Sequence, residues 1–157
     1  MHTSTLPPAG LFRRLGALFY DSLVVMAILM IAGGVVVAVL EALVATGLFS
    51  YAPYQDAGEL LTRHPIWSPV YTLYLAATWI YFFVYFWTRG GQTLGMRAWK
   101  IVLCNQNGDR ISATQALIRL ATSVFGLGNL TVPLDPKKRA FQDMWAKTQV
   151  LVLPKVR

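Results

Sequence analysis

The sequence predicts an all-α membrane protein with a small cytoplasmic β element, on three observations. Leu23 to Leu40 is an uncharged apolar run of 18 residues, and Ile66 to Thr88 is another of 23. A helix needs about 20 apolar residues, at about 1.5 Å each, to cross a bilayer. Charged residues make up only 13% of the 157, against 55% hydrophobic ones. Basic residues flank the runs unevenly, as they do around spanning helices.

The first ten residues, with Pro7, Pro8 and Gly10, read as a flexible lead. Helix 1 is expected from about Leu11 to Leu40, or as far as Leu48, with Arg13, Arg14 and Asp21 at the membrane boundary. Its apolar run is too long for the core of a secretion signal and lacks an obvious small-residue cleavage site, so an uncleaved span is expected. A loop follows over about 49–65. With Glu41 it carries Asp56, Glu59 and Arg63, and Tyr51, Tyr54 and Trp67 suit the headgroup level. Helix 2 is expected from about Ser68 to Thr88. Arg89, Arg97, Lys100 and Arg110 come next, opposed by Asp109. The loop is therefore expected outside, the basic segments and the N-terminus in the cytoplasm, and the two helices form a hairpin.

Ile101–Cys104 reads as a short strand, followed by a turn at Asn107-Gly108. Ser112-Ala-Thr-Gln115 has the form of a capping box that opens a helix at Ala113, and Gly126-Leu-Gly128 breaks it. Residues 113–134 are long enough to span, yet contain Arg119, Gly126, Gly128 and Pro133. Spanning would put Lys137, Lys138, Arg139, Lys147, Lys155 and Arg157 outside, so the positive-inside rule favours an interfacial or re-entrant segment. Asp135-Pro136 looks like an N-cap with proline at the first helical position, for a short helix to about Trp145. Thr148–Leu153 has a strand pattern that can pair with 101–104, outside the hydrocarbon layer, because strand edges cannot face lipid. A single domain over 11–153 and a basic tail at 154–157 complete the layout.

The net charge of +7 comes from 14 Lys and Arg against seven Asp and Glu. Topology accounts for that excess better than nucleic acid does. Enzyme motifs are missing: His2, His64 and Cys104 are too scattered for a metal or nucleophilic site, and no cofactor is implied. Gly91-Gln-Thr-Leu-Gly95 lacks the lysine and the strand-to-helix setting of a phosphate loop, and reads as a tight turn.

Three patches resemble the RDD family of small membrane proteins. Arg14-Leu-Gly-Ala-Leu-Phe-Tyr-Asp21 resembles its opening signature, Gly91, Thr93 and Gly95 its turn after helix 2, and Lys137–Thr148, with Asp143 five before Thr148, its final block. Gly126-Leu-Gly128 fits what precedes that block. The chain departs from the pattern at Met96, Gln142 and Lys147, where lysine, histidine or glycine, and glycine are usual. The resemblance implies a membrane location and the signature residues Arg14, Asp21 and Asp143. It implies little chemistry, since cation transport and membrane assembly have both been proposed for the family.

Arg14, Ala17 and Asp21 share one helical face, with about 10 Å between Arg14 and Asp21. Each must find a partner elsewhere: Arg119 is expected for Asp21, and Arg139, Lys147, Arg13 or Arg14 for Asp143. The network reads either as a proton- or cation-coupled site titrating at Asp21, or as a salt-bridge lock at the membrane boundary. Asp21 lies far from mid-membrane, which favours the lock. Tyr71, Tyr74, Thr78, Tyr81, Tyr85 and Thr88 form one hydroxyl-bearing face of helix 2, either a packing seam or the lining of a polar pathway. Gly34, Ala38 and Ala42 offer a small-residue face to receive such a seam. Two or three helices enclose no pathway alone, so a homo-oligomer or a partner membrane protein is expected. Small monovalent cations or protons are the candidate cargo, and the bacterial inner membrane the expected location.

Overall fold

A computed structural model describes residues 6–154. Its order is α1 (Leu11–Ala45), α2 (Ala57–Arg63), α3 (Trp67–Gly90), α4 (Leu94–Ala98), β1 (Ile101–Asn105), α5 (Ala113–Ser123), a 3-10 segment (Val124–Thr131), α6 (Phe141–Ala146) and β2 (Thr148–Val152). Two of these helices, α1 and α3, are long and apolar enough to cross a membrane. Only 11% of the apolar window of each is buried within the chain. The core helix of a water-soluble protein would be mostly buried, so these surfaces call for an apolar solvent. At 35 residues α1 is about 50 Å long, more than a hydrocarbon layer of about 30 Å requires.

By internal contacts the chain divides into two units. One takes the residues up to Val24 and from Ile80 onward, the other Val25–Trp79. In the second unit the expected loop contains α2. The Asp56 carboxylate caps it by accepting from Glu59 N–H at 2.7 Å. Ala57, Leu60 and Leu61 are its buried side. Tyr74 Oη donates to the Ala32 carbonyl at 3.4 Å, and the Tyr71 hydroxyl lies where a Cβ on Gly33 would sit. Gly34, expected to receive the tyrosine seam, has nothing within 4 Å of that position.

The first unit holds the strands. β1 and β2 pair antiparallel, with Leu103 opposite Val150. Both follow the same burial pattern, and Ile101, Leu103, Val150 and Leu151 are among the buried core residues. Residues 1–5 of the expected lead lie outside the described residues, as do residues 155–157 of the expected tail. Pro7–Ala9 do not form a free lead. Ala9 N–H donates to Val150 C=O at 2.8 Å, Val152 N–H donates to Pro7 C=O at 2.9 Å, and Ala9 is fully buried.

The capping box opens α5 as expected: Ser112 Oγ accepts from Gln115 N–H, and Gln115 Oε1 from Ser112 N–H. Val124, Phe125 and Gly126, all at positive φ, end it. Eleven residues extend about 16 Å, too short for a span, so 113–134 does not form one continuous crossing helix. The helix expected from Pro136 begins instead at Phe141. Asp135 does not cap it. Its carboxylate accepts from Arg139 N–H at 2.9 Å and from Arg139 Nε at 2.8 Å, closing a turn in which Lys138 has φ of 52°. A left-handed residue there prevents a helix from running through.

Candidate functional site

Asp143 is the centre of the site. It sits at the third position of α6, where its Oδ2 accepts from the Ala140 N–H at 2.9 Å, half of a capping box. The same oxygen accepts from Arg14 Nη1 at 2.7 Å, and Oδ1 accepts from Arg119 Nη1 at 2.5 Å. The carboxylate is fully buried and both arginines nearly so. Burial alone would push the Asp143 carboxyl up. The charges of Arg119 and Arg14, helped by the Ala140 N–H, win and hold it below its ordinary value.

Each arginine ties further elements to this centre. Arg14, on the first turn of α1, donates from Nε to Ala9 C=O at 3.0 Å and from Nη2 to Lys138 C=O at 3.1 Å. Arg119, on the buried side of α5, also donates to Thr148 Oγ1 at the start of β2. Its guanidinium lies 5.3 Å from the centre of the Trp87 ring of α3, a cation–π contact. Gln115 Nε2 donates to Ala146 C=O, and Gln142 Nε2 to Asn129 Oδ1. One buried carboxylate thus gathers α1, α3, α5, α6 and β2.

Asp21 belongs to a second, separate clip. Its Oδ2 accepts from Thr93 Oγ1 at 2.5 Å and its Oδ1 from Gly95 N–H at 2.8 Å. Thr93 also N-caps α4, accepting from Met96 N–H at 3.2 Å. A Cβ on Gly95 would overlap the Ala17 carbonyl and the Asp21 carboxylate. The glycine allows α4 to approach α1 this closely. Gly91, at φ of 64°, faces the Leu103 carbonyl and accepts from Leu103 N–H at 2.7 Å, so it joins the end of α3 to β1. The Gly91–Gly95 turn is therefore more than a connection: it opens an unexpected helix, α4, that holds Asp21.

The expected pairing of Asp21 with Arg119 is not found, because Arg119 takes Asp143. Arg139 pairs with Asp135, at 2.8 Å, instead of Asp143. Among the described residues Asp21 makes no ion pair within 4 Å. The spacing missed Thr148 and Trp87, which touch Arg119. Thr148 stood in the final block, but nothing there pointed to an arginine.

The hydroxyl face of α3 is divided. Thr78 donates to Tyr74 C=O and Thr88 to Val84 C=O, so both threonine hydroxyls are satisfied within their own helix. Tyr81 and Tyr85 are exposed and stacked on each other with ring centres 5.7 Å apart. Arg89 lies over the Tyr85 ring at 5.9 Å.

The model of the RDD family matches residues 8–147, spanning Arg14, Asp21, the Gly91–Gly95 turn, Arg119 and Asp143. The chain belongs to the RDD family. No curated protein and no solved structure matches it. RDD membership and the two exposed apolar helices together support a membrane location. Among the described residues no group of three His, Cys, Asp or Glu is placed to hold a metal ion.

Proposed function

We propose that this RDD protein is a non-catalytic membrane subunit that organises a larger membrane assembly, as a homo-oligomer or with a partner membrane protein. The observation that carries the reading is that both oxygens of each signature carboxylate are engaged by the chain's own donors. Asp143 accepts from two guanidinium groups and a backbone N–H, and Asp21 from a hydroxyl and a backbone N–H. Groups bound so fully by their own fold are suited to fixing elements in place. No carboxylate occurs in the middle of either apolar run. The exposed tyrosines of α3 offer a face for another helix.

Transport of small monovalent cations or protons is the second reading. It is favoured by Asp21, a buried carboxylate with no cation within 4 Å among the described residues. We place the protein in a bacterial inner membrane with its N-terminus in the cytoplasm, and 113–134 in the interface on that side, on the bias of Lys and Arg.

Gently solubilised protein should remain in a complex larger than one chain by native mass spectrometry. A bare monomer that binds nothing sinks the subunit reading. Reconstituted vesicles should show no Na⁺-, K⁺- or Li⁺-dependent proton flux. Flux that Asp21→Asn abolishes would establish transport instead. Labelling of an Asn107→Cys variant by an impermeant thiol reagent from outside the cell would overturn the orientation.

A further inference from the structure

A cavity of about 400 Å³ opens beside the Asp143 centre. Its wall carries Arg14, Lys137, Lys138 and Arg139 with the polar side chains of Thr148 and Gln149, and no carboxylate lines it. The two nearest acids are spent. Asp143 is fully buried behind Arg14, and Asp135 is held by Arg139 through both oxygens. Lys137 and Lys138 are exposed at the mouth, and neither makes an ion pair within 4 Å among the described residues. Arg14 backs the wall with its guanidinium already engaged, Nε on the Ala9 carbonyl, Nη1 on Asp143 and Nη2 on the Lys138 carbonyl. Lys138 is kept at φ of 52° by that bond and by its own N–H, which donates to Asp135 C=O at 2.8 Å. A lysine in that strained conformation, between two other cations, raises the question of what it is held for.

We propose that this pocket binds a phosphate-bearing anion, either the headgroup of an anionic lipid or a free phosphate compound. Arg14 and Arg139 are neutralised by Asp143 and Asp135, so the uncompensated positive charge at the recess is that of Lys137 and Lys138. Two lysine ammonium groups at the mouth are the chemistry that recognises phosphate oxygens. A recess partly screened from water makes those charges count for more than on an open surface. The proposal stands whether the protein acts as a subunit or a transporter.

The test uses the full chain in lipid nanodiscs, with two arms that separate the sources. In the first, inorganic phosphate is titrated calorimetrically into protein in pure phosphatidylcholine discs. In the second, protein from discs of phosphatidylcholine mixed with phosphatidylglycerol is released and its retained phosphatidylglycerol counted by native mass spectrometry. Saturable binding in the first arm identifies a soluble anion, and selective retention in the second a lipid headgroup. The double variant Lys137→Gln, Lys138→Gln should weaken the observed binding at least about tenfold, through loss of two charged donors. Arg110→Gln, an exposed cation outside the pocket, should leave it unchanged. Continued shielding of the Cys104 thiol shows that each variant is folded. Binding in neither arm, an unweakened double variant, or an equal loss with Arg110→Gln overturns the proposal.

Discussion

Asp143→Asn removes one charge and strands two. The asparagine keeps the shape of the side chain but can offer its single oxygen to only one of Arg14 and Arg119. Its amide must then face the other guanidinium, donor against donor, or the Ala140 N–H, which loses its acceptor at 2.9 Å. Both arginines are nearly buried, so water cannot replace the lost partner without opening the site. Breaking a buried pair by deleting one member costs about 3–5 kcal/mol. At about 2–4 °C per kcal/mol for a chain of this size, the melting temperature should fall by about 6–20 °C. Cys104 supplies the assay. It is the single cysteine of the chain, buried in β1, and burial pushes its thiol pKa up, so a thiol-reactive dye reports when this unit opens. A variant melting within about 2 °C of the wild type would refute the view that Asp143 holds these elements together.

Gly95→Ala should lower the same transition by the equivalent of about 1–3 kcal/mol, since the new methyl meets the Ala17 carbonyl and the Asp21 carboxylate. Gly34→Ala, with open space around it, should not. Thr93→Val deletes both the cap of α4 and a donor to buried Asp21, and should cost about 1–3 kcal/mol in the same dye assay. Asp135 is held at about 2 by its hydrogen bonds to Arg139. Its folded pKa lies below the unfolded value of about 3.9, so its contribution is complete above that value and is lost as pH falls toward 2. The melting difference between wild type and Asp135→Asn should therefore shrink between about pH 4 and pH 2. A difference constant across that range would show that the turn does not depend on the ionised carboxylate.

What could be read from the chain follows from how local each signal is. The two apolar runs are collective signals, and no single residue could mislead them. The capping box at Ser112–Gln115 and the pairing of 101–104 with the last apolar strand rest on neighbouring residues, and both are found. The members of the charge network were also legible, since a buried charge in an apolar chain must have a partner. Which partner it takes was not. Asp21 was given to Arg119 by charge alone, whereas the deciding contact is a hydroxyl and an amide delivered by a turn in which only glycine fits. Thr93 two residues before Gly95 was the signal that could have shown a cap there. Asp135-Pro136 misled for the opposite reason. Its local chemistry suits a helix start and a turn equally, and the outcome is set at Lys138, whose left-handed backbone leaves no mark in a lysine.

Arg14 and Asp143 are 129 residues apart. During synthesis both apolar helices and Arg119 emerge before the carboxylate that will neutralise the two arginines. The ionic centre therefore closes late, only around a chain that has been made through α6. A product truncated before Asp143 would still contain both candidate spans but would carry two exposed cations and an unpaired β1 edge, features by which quality-control proteases can tell it from the finished protein.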